Sequence, residues 1–268
     1  NHGRAVAWGA RRAGCRAVIY IHEGVSEGRA EAIRALGADV RREGHHYDES
    51  VRLCATAAAA NGWQVVSDTS WPGYEDVPRM VMQGYALLAA EAYAQGARPT
   101  HIFLQGGVGG LAAAVASWFW EELGPARPKI IVVEPDKAAC LLASAELGRA
   151  THVNGDLATI MAGLACGEAS PLAFKILHGG ADAFMSIPDE AAATMMRRLA
   201  EDGVVGGESG VAGLAGLAAA AVDEQARSLL GLDATSTILL IGSEGATDPD
   251  VYRSIVGRSA DEVAATTA

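Results

Sequence analysis

The most unusual stretch of this sequence is a cluster of glycines that separates an apolar run from a region of small residues. The cluster consists of Gly106, Gly107, Val108, Gly109 and Gly110. "HIFLQ" precedes it and "LAAAVASW" follows it, which predicts a strand that turns directly into a helix. Main-chain N–H groups at a helix N-terminus are unpaired and attract anions, so a phosphate group fits there. A tight turn that allows close helix–sheet packing explains the glycines equally well.

Neither of two common nucleotide-binding patterns occurs at this loop. The dinucleotide pattern needs a different glycine spacing and a later acidic partner, and Glu134 is followed directly by Pro135. A Walker loop needs a Lys-Ser/Thr pair after the glycines, and none is present.

Other polar residues follow predicted strands. Asp68 ends "WQVVSD", Glu134 ends "KIIVVE", and Ser243 follows "TILLIG" in the glycine-rich "IGSEGATD". In open α/β sheets, ligands bind outside the carboxyl ends of the strands, so these residues are predicted to share one crevice with the glycine loop. Turn roles are the alternatives: an Asx turn for Asp68, and ordinary turns for Ser243 and Glu134.

Strand and helix patterns alternate along the chain. Strands are predicted at 17–21, 38–43, 63–68, 101–105, 129–134 and 237–242. Helices are predicted at 3–13, from a Ser26 cap to Gly37, from an Asp48 cap to Gly62, and at about 78–95, 109–123, 189–202, 210–223 and 249–256. The near-continuous apolar strands favour parallel sheets buried on both faces, and hence a doubly wound, mostly parallel α/β fold.

Trp71-Pro72-Gly73 is the best internal boundary in this pattern. It divides the chain into a small αβ domain (1–75) and part of a larger domain (76–257). The remaining segment, 258–268, has no periodic pattern and is predicted to be disordered.

The composition excludes several classes of protein. The formal net charge is −11, which argues against nucleic-acid binding, and no apolar run is long enough to span a membrane. The four cysteines lack metal-ligand spacing and His45-His46 has no acidic or cysteine partner, so no metal site is predicted. Free thiols and a cytoplasmic location are the default expectation.

Several motifs together resemble the fold-type II pyridoxal-phosphate enzymes of the tryptophan synthase β-like superfamily. They are "NHGRAVAW", "GGVGG", "VVEPD", "GESGVAGL" and "GSEGATD", in this order. "DTSWPGYEDVPRMVMQGY" and "GDLATIMAGLACGEASPLAFKIL" are similar to the diaminopropionate ammonia-lyases in particular. The resemblance covers nearly all of residues 1–257 and implies a small and a large domain, pyridoxal 5′-phosphate as cofactor, and a homodimer.

The resemblance also implies roles for individual residues. The phosphate would be held by Gly106, Gly107, Val108, Gly109 and Gly110. Asn1 would reach the cofactor's ring hydroxyl, although an Asn at a helix start is otherwise an ordinary cap. Ser243 would face the pyridine nitrogen, where a neutral hydroxyl makes a weaker electron sink that suits β-elimination. Asp68 would be the catalytic acid or base, Glu208 would lie near the cofactor, and His2 and Gly3 would contact substrate.

The implied reaction is the β-elimination of 2,3-diaminopropionate to pyruvate and ammonia. Threonine or serine dehydratase activity is the nearest alternative, and a non-catalytic binding or scaffold domain is the other. The second alternative arises because none of the three lysines, Lys129, Lys137 and Lys175, suits a covalent cofactor anchor. The family's lysine precedes the motif in which residue 1 lies, so about the first third of the enzyme is expected to be missing and these 268 residues to be inactive alone.

Two cysteines are expected near the same crevice. Cys140 follows the strand that ends at Glu134, and Cys166 lies in "GLACGE". A disulfide between them is a hypothesis set against the expectation of free cytosolic thiols.

Overall fold

The computed structural model describes residues 1–266, in which short elements alternate along the chain. The α-helices there are α1 (His2–Arg12), α2 (Glu27–Arg34), α3 (Tyr47–Asn61), α4 (Asp76–Ala94), α5 (Gly110–Leu123), α6 (Cys140–Leu147), α7 (Pro171–Gly180), α8 (Asp189–Glu201), α9 (Ala212–Val222), α10 (Glu224–Leu230), α11 (Pro249–Val256) and α12 (Ala260–Ala264). The strands there are β1 (Val18–Ile21), β2 (Asp39–Arg42), β3 (His101–Gln105), β4 (Lys129–Pro135), β5 (Ala183–Ile187) and β6 (Ile238–Leu240). None of the helices in residues 1–266 is long and apolar enough to cross a membrane.

The strands form two parallel sheets. β1 pairs with β2, and the second sheet has the order β5-β4-β3-β6 with every neighbouring pair parallel. The predicted parallel α/β fold is therefore confirmed. The two sheets fall on opposite sides of residue 75, and the division into two domains at that residue stays a prediction.

Helices cover both faces of the larger sheet. Ile102 and Leu104 of β3 are buried in one apolar cluster with α5 and α7, while Phe103 is buried in another with α8 and α9. Alternate side chains of a strand point to opposite faces, so a continuous apolar strand such as "HIFLQ" supplies both clusters. This arrangement fixes β3 at the centre and places the turn after it, the glycine cluster, at the sheet's carboxyl edge.

Residues 63–68, predicted as a strand, form no ladder in the structure. Side chains supply their hydrogen bonds instead: the Tyr74 hydroxyl donates to Val65 O at 3.0 Å and accepts from Ser67 N at 3.0 Å. A ring nitrogen of His2 lies 2.9 Å from Val66 O. Because these groups satisfy the main chain, the segment remains extended without a neighbouring strand, and the strand prediction is wrong here.

The start of α3 also differs from the prediction. His46, not Asp48, is the N-cap residue, and Asp48 lies in the first turn. The Asp48 carboxylate accepts a hydrogen bond from Gly167 N at 3.0 Å, a contact with a distant loop that sequence periodicity could not reveal. Ser26 does cap α2, as predicted, by accepting from Arg29 N.

The C-terminal segment is ordered where disorder was predicted, at least as far as residue 266. Helix α12 begins with a capping box in which Ser259 and Glu262 bond each other's main chain. Val263 is fully buried against the core that contains α8 and α11. One cap and one apolar anchor were too short a signal for periodicity to detect, and residues 267–268 of that prediction lie outside the described residues.

Candidate functional site

A cavity of about 1110 Å³ opens at the carboxyl end of β3 and extends toward the smaller sheet. Its wall includes the glycine loop, the turn after β6, and side chains from α1, α3 and β1. This is the edge at which open α/β sheets bind ligands. The crevice predicted from the sequence is therefore present in the structure.

The glycine loop presents three main-chain N–H groups without an acceptor. For Gly107, Gly109 and Gly110, no hydrogen-bond acceptor occurs within residues 1–266, whereas the Val108 N–H bonds the Cys166 sulfur; the first donor into helix α5 is Ala113 N, to Gly109 O. All four residues line the cavity. Gly109 has φ +100°, a conformation that side chains disfavour. Free amides at a helix N-terminus beside a cavity suit a phosphate group.

Gly106 differs from its neighbours because it faces the sheet and does not line the cavity. A Cβ atom there would lie 2.7 Å from Val132 Cγ1. Its lack of a side chain is therefore explained by packing, and its position does not support the predicted contact with a phosphate.

Two buried thiols lie behind the loop. Cys140 Sγ donates to Gly107 O at 3.5 Å, and a Cβ on Gly107 would lie 3.4 Å from Cys166 Sγ. Both cysteines are free, so the disulfide hypothesis is not borne out in this structure. Burial raises the pKa of both thiols, with a smaller increase from nearby acidic groups, so both stay protonated at neutral pH and can donate hydrogen bonds.

Asp68 lies beside the end of the glycine loop, against Gly110. Its carbonyl oxygen lies 3.4 Å from where a Cβ on Gly110 would be, and its carboxylate accepts a 2.6 Å hydrogen bond from the Tyr47 hydroxyl. Among the cavity-lining residues of the described chain it is the single carboxylate. An isolated carboxylate in a cleft can accept a proton or hold an ammonium group.

Ser243 lines the cavity beside the end of β3. Its hydroxyl oxygen accepts a hydrogen bond from Gln105 Nε2 at 2.5 Å, and the same nitrogen donates to Ile241 O at 2.9 Å. With its oxygen engaged as an acceptor, the Ser243 hydroxyl hydrogen is available to a ligand.

The N-terminal residues border the cavity as well. Asn1 is the N-cap residue of α1, but its side chain does not cap the helix and its amide donates to Glu244 Oε2 at 3.0 Å. His2 and Gly3 also line the cavity. A Cβ on Gly3 would lie 2.9 Å from Ile19 Cγ2, so packing of α1 on β1 requires the glycine.

Glu208 does not line the cavity, because it lies behind the wall in an ion-pair network. The Arg29 guanidinium lies 3.3 Å from both Glu208 Oε2 and Glu244 Oε2, and all three side chains are largely buried. Burial raises the pKa of Glu208 despite Arg29. Burial also tends to raise the pKa of Glu244, but the charge of Arg29 and the hydrogen bond from the Ser209 amide outweigh burial, so that pKa is lowered. Direct cofactor contact by Glu208 is not supported by this position.

Glu134, the other acidic residue predicted at a strand end, bonds the main chain at the start of α6. Its two carboxylate oxygens accept from Leu141 N at 2.8 Å and Leu142 N at 2.7 Å, which satisfies the start of α6. Burial raises its pKa to about 8 despite these bonds. The turn alternative is therefore the better description of Glu134.

None of the three lysines lines the cavity. Lys129 Nζ donates to Leu230 O at 2.7 Å, at the opposite edge of the sheet, and Lys137 and Lys175 are exposed. Residues 1–266 therefore place no lysine amine in the crevice that could anchor a carbonyl cofactor.

Sequence reasoning missed Tyr47 and Gln105. Gln105 could have been found, since it ends β3 directly before the glycine loop. Tyr47 carries no local signal, because its contact with Asp68 depends on how α3 packs.

The fold and the crevice define a class of protein: a doubly wound α/β protein with an anion-binding helix start at the sheet's carboxyl edge and a lone carboxylate beside it. Residues 1–241 match the family of pyridoxal-phosphate dependent enzymes. The chain belongs to that family, and its loop of free amides, backed by glycines that tolerate close approach, fits the cofactor's phosphate.

Within this family, the chain is similar to several proteins of known name. The chain is 44% identical to the diaminopropionate ammonia-lyase of Escherichia coli over 276 aligned residues, covering 98% of this chain and 69% of the relative. A crystal structure of diaminopropionate ammonia lyase from the same organism, with a reaction intermediate bound, matches with a TM-score of 0.88 and 43% identity, covering 96% of this chain and 68% of that one. The biosynthetic L-threonine dehydratase of E. coli is 28% identical over 75% of this chain and 37% of its own length.

Proposed function

We propose that this chain carries the cofactor and acid–base site of a pyridoxal-phosphate carbon–nitrogen lyase that converts 2,3-diaminopropionate to pyruvate and ammonia. The observation that carries the proposal is the position of Asp68, the single carboxylate lining the cavity in the described residues, beside the unpaired amides of Gly107, Gly109 and Gly110. The 44% identity to a diaminopropionate ammonia-lyase supports the substrate.

The free N–H groups of Gly107, Gly109 and Gly110 would hold the cofactor's phosphate, and the Ser243 hydroxyl would donate a hydrogen bond to its ring nitrogen. The Gln105 bond to Ser243 Oγ supports this direction, because it leaves the hydroxyl hydrogen for the ring. Asn1, whose amide also bonds Glu244 next to Ser243, would hold the ring hydroxyl. When bound, pyridoxal phosphate withdraws electrons from the substrate's α-carbon and so acidifies the α-hydrogen.

Asp68 exchanges a proton with the substrate, either at the α-carbon or at the departing β-amine. Its negative charge also attracts ammonium groups. A diamino acid carries two of them, whereas serine and threonine carry one. His2 and Gly3 contribute to the substrate end of the cavity. Because no lysine reaches the crevice, the covalent anchor is not among these 268 residues, and they bind the cofactor without turning over substrate.

Spectroscopy of the chain with added cofactor tests this function. Pyridoxal phosphate should bind without a covalent link, and diaminopropionate should perturb the bound cofactor's absorbance at lower concentration than serine or threonine do. A parallel sample without protein corrects for reaction of the free cofactor with each amine. A response to threonine or serine at lower concentration, or faster turnover of either, would contradict the lyase assignment. A chain that binds no cofactor would favour a non-catalytic domain.

We also propose a cytoplasmic homodimer. Four free cysteines are consistent with a reducing compartment, and Met80 and Leu87, seven residues apart on α4, are more than half exposed as expected of a face that pairs. Light scattering at several protein concentrations tests the dimer, and fractionation of the source cells tests the location.

A further inference from the structure

The contact between Tyr47 and Asp68 joins two residues that local sequence gives no reason to pair. Tyr47 is the first residue of α3, and its hydroxyl donates to Asp68 Oδ1 at 2.6 Å. That length is typical of an O–H donor bonded to an ionised carboxylate, which is stronger than a bond between neutral groups. Both side chains line the cavity.

Tyr47 is itself held firmly. The next residue, Asp48, is buried and bonds Gly167 N at 3.0 Å, and Arg52 one turn later pairs with Glu168 at 2.9 Å. The buried Asp48 contact fastens the first turn of α3 to the loop that carries Cys166, and the Arg52–Glu168 pair, which is more than half exposed on both side chains, spans the same two segments. The phenol therefore projects from a fixed helix start.

Asp68, by contrast, lies at the end of a segment without ladder hydrogen bonds. The Tyr47 hydroxyl is the one hydrogen-bond partner of its carboxylate within residues 1–266, and Oδ2 has none there. The direction of the carboxylate thus depends on Tyr47.

Tyr47 can act in this bond solely as a donor near neutral pH. Burial, followed by the negative charge of Asp68, raises the pKa of the phenol well above its usual value. Because the phenol keeps its proton, Oδ1 stays occupied and proton exchange is confined to Oδ2.

We propose that Tyr47 is a positioning residue that occupies Oδ1 of Asp68 and thereby directs Oδ2 toward the substrate's amino groups. This inference rests on the proposed lyase function. It adds a specificity element, because a carboxylate of fixed direction discriminates between diamino acids and hydroxy amino acids better than a freely rotating one.

A first experiment needs no cofactor. With ¹³C-labelled tyrosine in the chain, the Tyr47 ring signal, assigned through Tyr47→Phe, is followed across alkaline pH in the wild type and in Asp68→Asn. Because the negative charge of Asp68 helps to raise the pKa of Tyr47, Asp68→Asn should lower that pKa. An unchanged Tyr47 titration would overturn the proposal, since the two groups would then not interact.

A second experiment measures the substrate response of the chain with bound cofactor. Tyr47→Phe should leave the dissociation constant of the cofactor unchanged within about threefold and raise the half-saturating diaminopropionate concentration about tenfold or more, as expected for loss of a hydrogen bond to a charged group. Tyr74→Phe is the matched control, because that hydroxyl bonds the main chain of the same segment but not the carboxylate.

The outcomes separate the two hypotheses. If the wild type responds and Tyr47→Phe responds equally, or if Tyr74→Phe has the same effect as Tyr47→Phe, the positioning role is wrong while the lyase function stands. If the wild type itself shows no response to diaminopropionate, the proposed function is wrong and the inference is rejected with it.

Discussion

The glycines before α5 meet three different physical demands. Gly106 leaves room for Val132, Gly109 adopts a positive φ, and Gly107 brings its amide to the cavity while the carbonyl of Gly163 lies close behind. Only Gly107 and Gly109 affect how an anion would bind at the loop. A substitution in this loop is therefore informative when it changes charge at Gly107.

Gly107→Asp places a carboxylate against the free amides and should abolish cofactor retention. Losing several hydrogen bonds to a charged group, each worth about 1.5–3 kcal/mol, should weaken binding at least about 100-fold. Equilibrium dialysis measures the dissociation constant, with thermal unfolding to establish that the variant folds. Gly84→Asp is the matched control, since a Cβ there meets open space on the surface of α4. Retention in Gly107→Asp would mean that the loop is only a packing turn.

Asp68→Asn should separate cofactor binding from chemistry. The bound cofactor's absorbance should stay normal, while the response to diaminopropionate weakens about tenfold or more and any turnover in a competent enzyme falls about 10²–10⁴-fold, as is common for acid–base groups. The response and the turnover are measured with both enantiomers of diaminopropionate. Unchanged behaviour with both would remove Asp68 from the mechanism, and a loss for one alone would indicate a second base on the opposite face.

At the scale of elements, Glu134 connects the end of β4 to the start of α6. Its carboxylate is buried and its pKa is raised to about 8 from the ordinary 4.5. The folded protein therefore binds this proton more tightly than the unfolded chain does. The stability that Glu134 contributes is complete below about pH 4.5 and is lost as the pH rises through about 8.

Glu134→Gln should remove this pH dependence. The free energy of unfolding of the wild type minus that of the variant should fall between pH 5 and 8, by about 1.4 kcal/mol for each unit by which the folded pKa exceeds the ordinary value. Urea titrations at several pH values measure it. A difference that stays constant, or that grows with pH, would show that the carboxylate is already ionised in the folded state.

At the scale of the whole molecule, the distribution of lysines bears on catalysis. Lys129 lies at the sheet edge remote from the cavity, and the other two lysines are on the surface. The cofactor site and its anchoring amine are thus separated within this chain.

Borohydride reduction of the chain with one equivalent of cofactor should label no lysine specifically, and no ammonia should be released from diaminopropionate. Mass spectrometry of the peptides locates any adduct. Surface labelling is recognised because it persists in Gly107→Asp, and the E. coli lyase serves as a positive control. A specific adduct on Lys137 accompanied by turnover would show that these 268 residues form a complete enzyme.

Local sequence determined the α/β alternation and the strand–glycine–helix turn. Apolar runs such as "KIIVVE" and the glycines of 106–110 act within a few residues, so their patterns survive without knowledge of the neighbours. Local sequence was misleading in two places. At 63–68, apolar residues suggested a strand, but side chains from outside the segment satisfy its main chain. After residue 258, disorder was predicted, but a single cap and a single apolar anchor form a helix.

Tertiary structure alone decided which polar groups meet. Tyr47 reaches Asp68, Gln105 reaches Ser243, and Arg29 joins Glu208 to Glu244 across separations of 21 to 215 residues. These pairs arise because the sheet order β5-β4-β3-β6 brings the ends of β3 and β6 side by side, and because Arg29 of α2 and Tyr47 of α3 reach residues near that edge. A sequence encodes which residues can bond, but the packing of remote elements determines which of them come within bonding distance.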